Sequence, residues 1–127
     1  MKVVVKTRGS TRKAEAFLHR MKRREHLKAL AKYGPRGVAA LRAATPVDSG
    51  ETAAGWYYEI SDTPGRYAIH WLNSNIEEPG TIPVAVLIQY GHATGNGAWV
   101  EGKDYINPAM RPIFDEMAAE MWREVTK

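Results

Sequence analysis

Cysteine is absent from the 127 residues, so neither disulfides nor thiolate metal sites contribute, and the redox compartment is left undetermined. Packing or assembly must supply the stability. Histidine is scattered: His19, His26, His70 and His92 fall in no His-x-x-x-His or His-x-Glu spacing, and a metal site needs three or four converging ligands. The expected role of His92 is that of a loop residue whose imidazole bonds a backbone group beside Gly91. Long apolar runs are missing as well. None approaches the roughly 20 residues that span a bilayer, and Met1-Lys2-Val3-Val4-Val5-Lys6 is too short for a signal-peptide core. The chain is expected to be soluble, made in the cytoplasm and without membrane contact.

Catalytic constellations are equally lacking. Ser49 lies in no Gly-x-Ser-x-Gly elbow, and nothing singles out a histidine partner for it. The carboxylate pairs Glu77-Glu78 and Asp115-Glu116 are adjacent rather than facing, which does not suit acid-base work across a substrate. Gly91-His92-Ala93-Thr94-Gly95-Asn96-Gly97 is rich in glycine but lacks the Lys-Ser/Thr that would hold phosphate and metal. It reads as a flexible contact loop. The expectation is a protein without enzymatic activity or cofactor.

What is present suits one domain spanning 1–127, with hydrophobic residues at 44% supporting a modest core. The charge is polarised. Residues 1–42 hold 13 Lys or Arg against 2 Glu, while residues 43–127 hold 5 against 12 acidic residues. The overall +4 therefore hides a basic first third, within which residues 1–22 read as a basic N-terminal arm. Three roles compete for it: a solvated helix face, contact with the acidic part of a neighbouring copy, or contact with nucleic-acid phosphates.

Along the chain, Val3-Val4-Val5 can form a short strand or an extended arm, and Gly9-Ser10-Thr11 supplies a turn and a helix N-cap. Ala14, Phe17, Leu18 and Met21 then share one helical face, whereas Leu27, Leu30, Val38 and Leu41 share another. The second stripe stays in phase across Gly34-Pro35-Arg36-Gly37, which favours a helix kinked there over a stop. Pro46 ends that helix, and Asp48 or Ser49 with Glu51 can cap a short helical turn through Ala54. Residues 56–61 and 66–72 are rich in β-forming aromatics around Asp62-Thr63-Pro64-Gly65, so a hairpin is predicted. Asn73 to Thr81 reads as a polar loop, and Pro83 opens a short helix through Gln89, although Val84 to Ile88 could equally be a strand. Ala98 to Ile106 reads as a strand pair or bent strand around Glu101-Gly102-Lys103. A C-terminal amphipathic helix follows, starting at Asn107-Pro108, its regular part nearer Arg111 because of Pro112. Met110, Ile113, Phe114, Met117, Met121 and Trp122 form its apolar face, with Asp115, Glu116, Glu120 and Glu124 opposite. Trp122 is expected in the core, and Trp71 and Trp99 in the core or at subunit contacts. The predicted fold is α+β: a small antiparallel sheet packed by a long, kinked N-terminal helix and the C-terminal helix.

Two segments carry more information than the rest: Thr45-Pro46-Val47-Asp48-Ser49-Gly50-Glu51-Thr52-Ala53-Ala54-Gly55-Trp56, and residues 87–109, from Leu-Ile-Gln-Tyr-Gly-His-Ala-Thr-Gly-Asn-Gly to Ile-Asn-Pro-Ala. In this order and spacing they resemble the tail-completion or neck (head-tail joining) family of long-tailed bacteriophages, over roughly residues 25 to 125. The resemblance implies a virion structural protomer in the neck, forming a ring of about six copies between the head-side connector or closure protein and the tail terminator or tail tube. Such rings arise from head-to-tail contacts that close, and the DNA passing through the lumen could meet them nonspecifically. On that expectation, contact residues are Arg20, Lys22, Arg23 and Arg24 from the basic region and Glu116 and Glu120 from the acidic helix of the next copy. To these the loop adds His92, Thr94, Asn96 and Trp99, ordering on docking. The rival reading is a nucleic-acid-binding module whose basic helix, Arg20 to Lys32, tracks phosphates. No DNA-reading motif is present for it, and Phe17 and Tyr33 do not interleave with the basic residues as a stacking platform would.

Overall fold

The computed structural model describes residues 12–23, 25–46, 50–77 and 81–126, with the side chains of residues 17, 20–23, 25, 26 and 125 left aside. The expectations for Val3-Val4-Val5, Gly9-Ser10-Thr11, the Asp48 or Ser49 cap and Arg24 lie outside the described residues, as do the side chains of Arg20, Lys22 and Arg23. The chain is an α+β protein. Its elements are α1 (Arg12–Arg23), α2 (Glu25–Leu30), α3 (Tyr33–Ala44), α4 (Gly50–Ala54), β1 (Trp56–Thr63), β2 (Arg66–Asn73), α5 (Val84–Tyr90), β3 (Gly91–Ala93), β4 (Trp99–Glu101) and α6 (Ile106–Val125).

The helical stretch before Pro46 does not kink across Gly34-Gly37. It breaks at a turn over Ala31-Lys32, where Ala31 and Gly34 amides bond the carbonyls of Lys28 and Ala31. Pro35 has no amide to bond the carbonyl of residue 31, so the ladder of α2 cannot run on. In the first turn of α3, where that amide is not needed, the proline is tolerated. The glycines serve packing instead. A Cβ on Gly34 would stand 2.5 Å from the Tyr58 ring, and one on Gly37 would stand 2.3 Å from Trp71 Nε1. Their absence lets the hairpin lie directly on α3, and Trp71 Nε1 donates to the Gly34 carbonyl at 3.0 Å.

The predicted hairpin is present. Strands β1 and β2 pair antiparallel from Trp56↔Asn73 to Thr63↔Arg66. They turn at Pro64-Gly65, where Gly65 has φ +78°, the conformation proline-glycine turns favour. Residues 84–90 resolve as a helix rather than a strand, stopped by Gly91 at φ +84°. Strand β3 pairs with β4, Gly91↔Glu101 to Ala93↔Trp99, as a second two-stranded sheet.

Helix α6 starts at Ile106, earlier than the prolines suggest, and carries Pro112 inside it. Pro112 forfeits one backbone bond near the start, while the first turn is held from outside by Gln89, as described below. Leu41, Trp56, Ala85, Tyr105 and Met110 form the buried core, with Val38, Trp71, Ile88 and Ile113 packed around it. The core thus joins α3, the base of the hairpin, α5 and α6.

Candidate functional site

The two sequence segments behind the family resemblance are internal latches. In the first, Trp56 Nε1 donates to Thr45 Oγ1 at 2.9 Å, and the Thr45 hydroxyl donates to the Leu41 carbonyl at 2.6 Å. The end of α3 is thereby tied to the start of β1. Thr52, fully buried, accepts Asn73 Nδ2 on its carbonyl and Asn75 Nδ2 on its hydroxyl, each at 2.8 Å. Buried polar groups without such partners would cost stability, so this network fixes where β2 leaves the body.

In the second segment Gln89 is the pivot. Its Oε1 accepts the amides of Tyr105 at 3.0 Å and Ile106 at 2.9 Å, and its Nε2 donates to Asp104 Oδ1 at 2.7 Å. The amides at the start of α6, which have no partner within the helix, are capped by a side chain 16 residues upstream. Tyr105 Oη donates to the Ala85 carbonyl at 2.7 Å, and burial pushes its pKa up to about 12. The chain passes so closely here that a Cβ on Gly91 would stand 2.6 Å from the Val100 carbonyl oxygen, and one on Gly102 2.5 Å from the carbonyl carbon of Tyr90 at the end of α5.

These latches carry surfaces that no described residue covers. An open apolar groove of about 480 Å³ lies between the base of the hairpin, α5 and α6, walled by Trp56, Tyr57, Trp71, Ile76, Met110 and Phe114. Phe114 stands edge-on to Trp71 at 6.0 Å between ring centroids and is half exposed. Along α6, Phe114, Ala118 and Trp122 recur at i, i+4 and i+8 on one flank, all exposed. Trp122 is 69% exposed, which corrects the expectation that it lies in the core. At the other end of α5, Tyr90, Trp99 and Val100 project at 71%, 59% and 45% exposure.

The remaining expected contact residues divide into three groups. Residues 91–101 form a hydrogen-bonded hairpin. Thr94 N donates to the Ala98 carbonyl at 2.8 Å, and Thr94 Oγ1 bonds both Asn96 Oδ1 and that carbonyl. Thr94 and Asn96 are therefore engaged in closing the turn, while Trp99 is presented outward. His92 Nδ1 is buried without a hydrogen-bond partner among the described residues, contrary to the backbone bond expected of it.

Glu116 and Glu120 find partners within their own chain. Arg36 Nη1 pairs with Glu116 at 3.1 Å, and Lys32 Nζ with Glu120 at 2.8 Å, while Tyr33 Oη donates to Glu120 Oε2. The hydrogen bond from Lys32, then that from Tyr33, holds the Glu120 carboxyl below its ordinary range, and the same Glu120 bond raises the Tyr33 phenol. Glu120 faces α3 because the buried arc of α6 is rotated toward Ile106, Ile113 and Met117 relative to the expected stripe. Of the basic cluster, Arg20, Lys22 and Arg23 lie on α1, whose packing partner within the chain is α2.

Sequence reasoning missed Gln89, Tyr90 and the groove. A lone Gln ending an apolar run was the available signal for the first. The groove has none, since its walls come from five separate elements.

The fold and its surface define a class: a small α+β scaffold whose distinctive feature is uncovered apolar surface. Among the described residues, no group of three or more His, Asp or Glu converges as a metal site, and no helix is long and apolar enough to cross a membrane. No family model, curated protein or solved structure matches the chain.

Proposed function

We propose that this protein is a virion structural subunit of a phage neck. Its copies close head to tail into a ring of about six, between the head-side connector and the tail terminator or tail tube, without catalysing a reaction. One observation carries the reading. Among the described residues, six aromatic side chains stand exposed: Tyr57, Tyr58, Tyr90, Trp99, Phe114 and Trp122. Aromatic side chains are enriched where proteins bind one another, and contiguous apolar surface on a monomer marks such sites. The exposed groups fall on different sides of the scaffold, the groove at one end of α5 and the Trp99 hairpin at the other. Two unlike surfaces on one copy are what a head-to-tail contact needs. The order of the two sequence segments supplies the neck assignment.

The test has two parts. Light scattering and negative-stain electron microscopy of the purified protein are expected to show closed rings. Calibrated mass spectrometry of intact phage particles carrying the gene is expected to find about one copy for every two of the portal protein, as a six-fold ring on a twelve-fold connector requires. Absence from particles would overturn the assignment. Salt-sensitive binding of the monomer to DNA would then favour the nucleic-acid reading, from whose basic helix Lys32 is already drawn away by Glu120.

A further inference from the structure

We propose that the outer edge of β1 and the facing side of α3 form a binding site for an extended segment of a partner protein that carries an acidic side chain. The site goes beyond the neck reading and does not depend on the ring. Its backbone is set by the ladder of the first hairpin. The Ser74 amide bonds the Gly55 carbonyl at 3.0 Å, and β1 and β2 pair one to one without a bulge. Bonded and non-bonded pairs alternate along an antiparallel ladder. Tyr57, Glu59 and Ser61 therefore bond β2, while the amides and carbonyls of Tyr58 and Ile60 point away from it. The Trp56 carbonyl points the same way and accepts Arg42 Nη2 at 3.3 Å. Among the described residues, no backbone group outside the hairpin bonds Tyr58 or Ile60. Lysine, proline or a bulge commonly blocks such an edge against joining, and β1 has none of these.

Helix α3 supplies the wall. Pro35, Val38, Ala39 and Arg42 recur at i, i+3, i+4 and i+7 on one side of it and, with Tyr57 and Tyr58, line an open groove of about 350 Å³. An exposed strand edge takes an extended chain, held by main-chain bonds and read through its alternate side chains. A helix bonds its own amides and carbonyls internally and has none to give this edge. Charge then sets the side chain. Arg42 is the one charged residue lining the groove, it is exposed, and among the described residues no carboxylate pairs with it. Its planar guanidinium has further donors that match a carboxylate. Chain termini are captured by clustered backbone amides, whereas the group offered here is a guanidinium beside a carbonyl, so the acid belongs to a side chain. Glu59 and Asp62 follow Tyr58 toward the turn and repel a uniformly acidic segment; the occupant's acid sits at the Arg42 end.

The test is amide hydrogen exchange of the full-length protein, read by mass spectrometry with residue-level fragmentation. The probe is the blocked pentapeptide acetyl-Thr-Val-Glu-Val-Thr-amide, beside the same peptide with lysine in place of glutamate and a fully N-methylated analogue. Without peptide, Tyr57, Glu59 and Ser61 are expected to exchange slowly and Tyr58 and Ile60 fast. Saturating acidic peptide is expected to slow Tyr58 and Ile60 at least about tenfold, and the N-methylated analogue to leave them unchanged. The lysine peptide, and the acidic peptide on Arg42→Gln, are expected to need at least about threefold more peptide for the same effect, the scale of an exposed ion pair. Arg42→Lys, which keeps the charge, is expected to retain the preference for the acidic peptide. No slowing at Tyr58 and Ile60, or slowing matched by the lysine peptide, would overturn the proposal. Slow exchange there in the unmixed protein that disappears on dilution would also overturn it, assigning the edge to a second copy. Ring formation is measured separately by light scattering, so failure of the peptide site leaves the neck reading in place.

Discussion

Gln89 shows how much one polar side chain decides. It is buried, and its single carbonyl oxygen serves two backbone amides at the head of α6. Gln89→Ala leaves both amides without their partner and takes one donor from Asp104, which keeps Asn107 Nδ2 at 2.9 Å. A loss of about 2 kcal/mol is expected, since each abandoned buried group costs roughly 1–3 kcal/mol, partly recovered by water; urea unfolding with an unchanged slope checks it. Glu120 acts through charge. Its folded pKa lies below the ordinary 4.5, so its contribution is complete above that value and is lost as pH falls through the folded pKa. Tyr33 is raised above 10.0, so its contribution is complete below pH 10 and is lost as pH rises through its folded pKa. Unfolding midpoints measured across pH are expected to decline at both ends, and Glu120→Gln is expected to flatten the acid limb. An acid limb unchanged in Glu120→Gln would count against the pairing.

Among the elements, α3 is the one on which the hairpin and α6 both pack, and its glycines govern the contact. Alanine at a helix position is worth about 1 kcal/mol over glycine, so Gly37→Ala should stabilise an isolated helix. Here the new Cβ would meet the Trp71 indole, and the ring must move off the Gly34 carbonyl. The expected net effect is a loss of about 1–3 kcal/mol, the usual cost of overpacking. Gly50→Ala is the control: nothing lies within 4 Å of its Cβ, so its stability should stay unchanged or rise by up to about 1 kcal/mol, the helix preference of alanine. The same glycines explain why the sequence pattern misled. In-phase leucines across Gly34-Gly37 fit a kinked helix, but periodicity carries no information about a tryptophan 34 positions later that needs the space. The hairpin was legible because Pro64-Gly65 encodes its turn locally. The start of α6 was not, because its cap comes from another helix.

For the whole molecule, the division between what holds the fold and what faces outward makes a separable prediction. Trp99 is largely exposed on an edge of the small second hairpin. Trp99→Ala is expected to change monomer stability by less than about 1 kcal/mol yet weaken assembly at least about tenfold, as loss of an interface aromatic does. Sedimentation of the variant beside its thermal unfolding separates the two. Equal assembly at equal stability would remove this hairpin from the contact surface.

The sequence by itself determined the α+β class, the first hairpin and the amphipathic C-terminal helix, because turn residues and apolar spacing act over a few positions. It also determined the polarised charge. Tertiary structure alone decided which half of each apolar stripe is covered. Helix α6 has more apolar arc than its neighbours can bury, so Met110 goes inside while Phe114 and Trp122 remain outside. It also decided that Glu116 and Glu120 pair with Arg36 and Lys32 of the same chain, across 80 and 88 positions that no local pattern connects. Local propensity fixes which elements form, but which face each one spends on its own core depends on all the others packed at once.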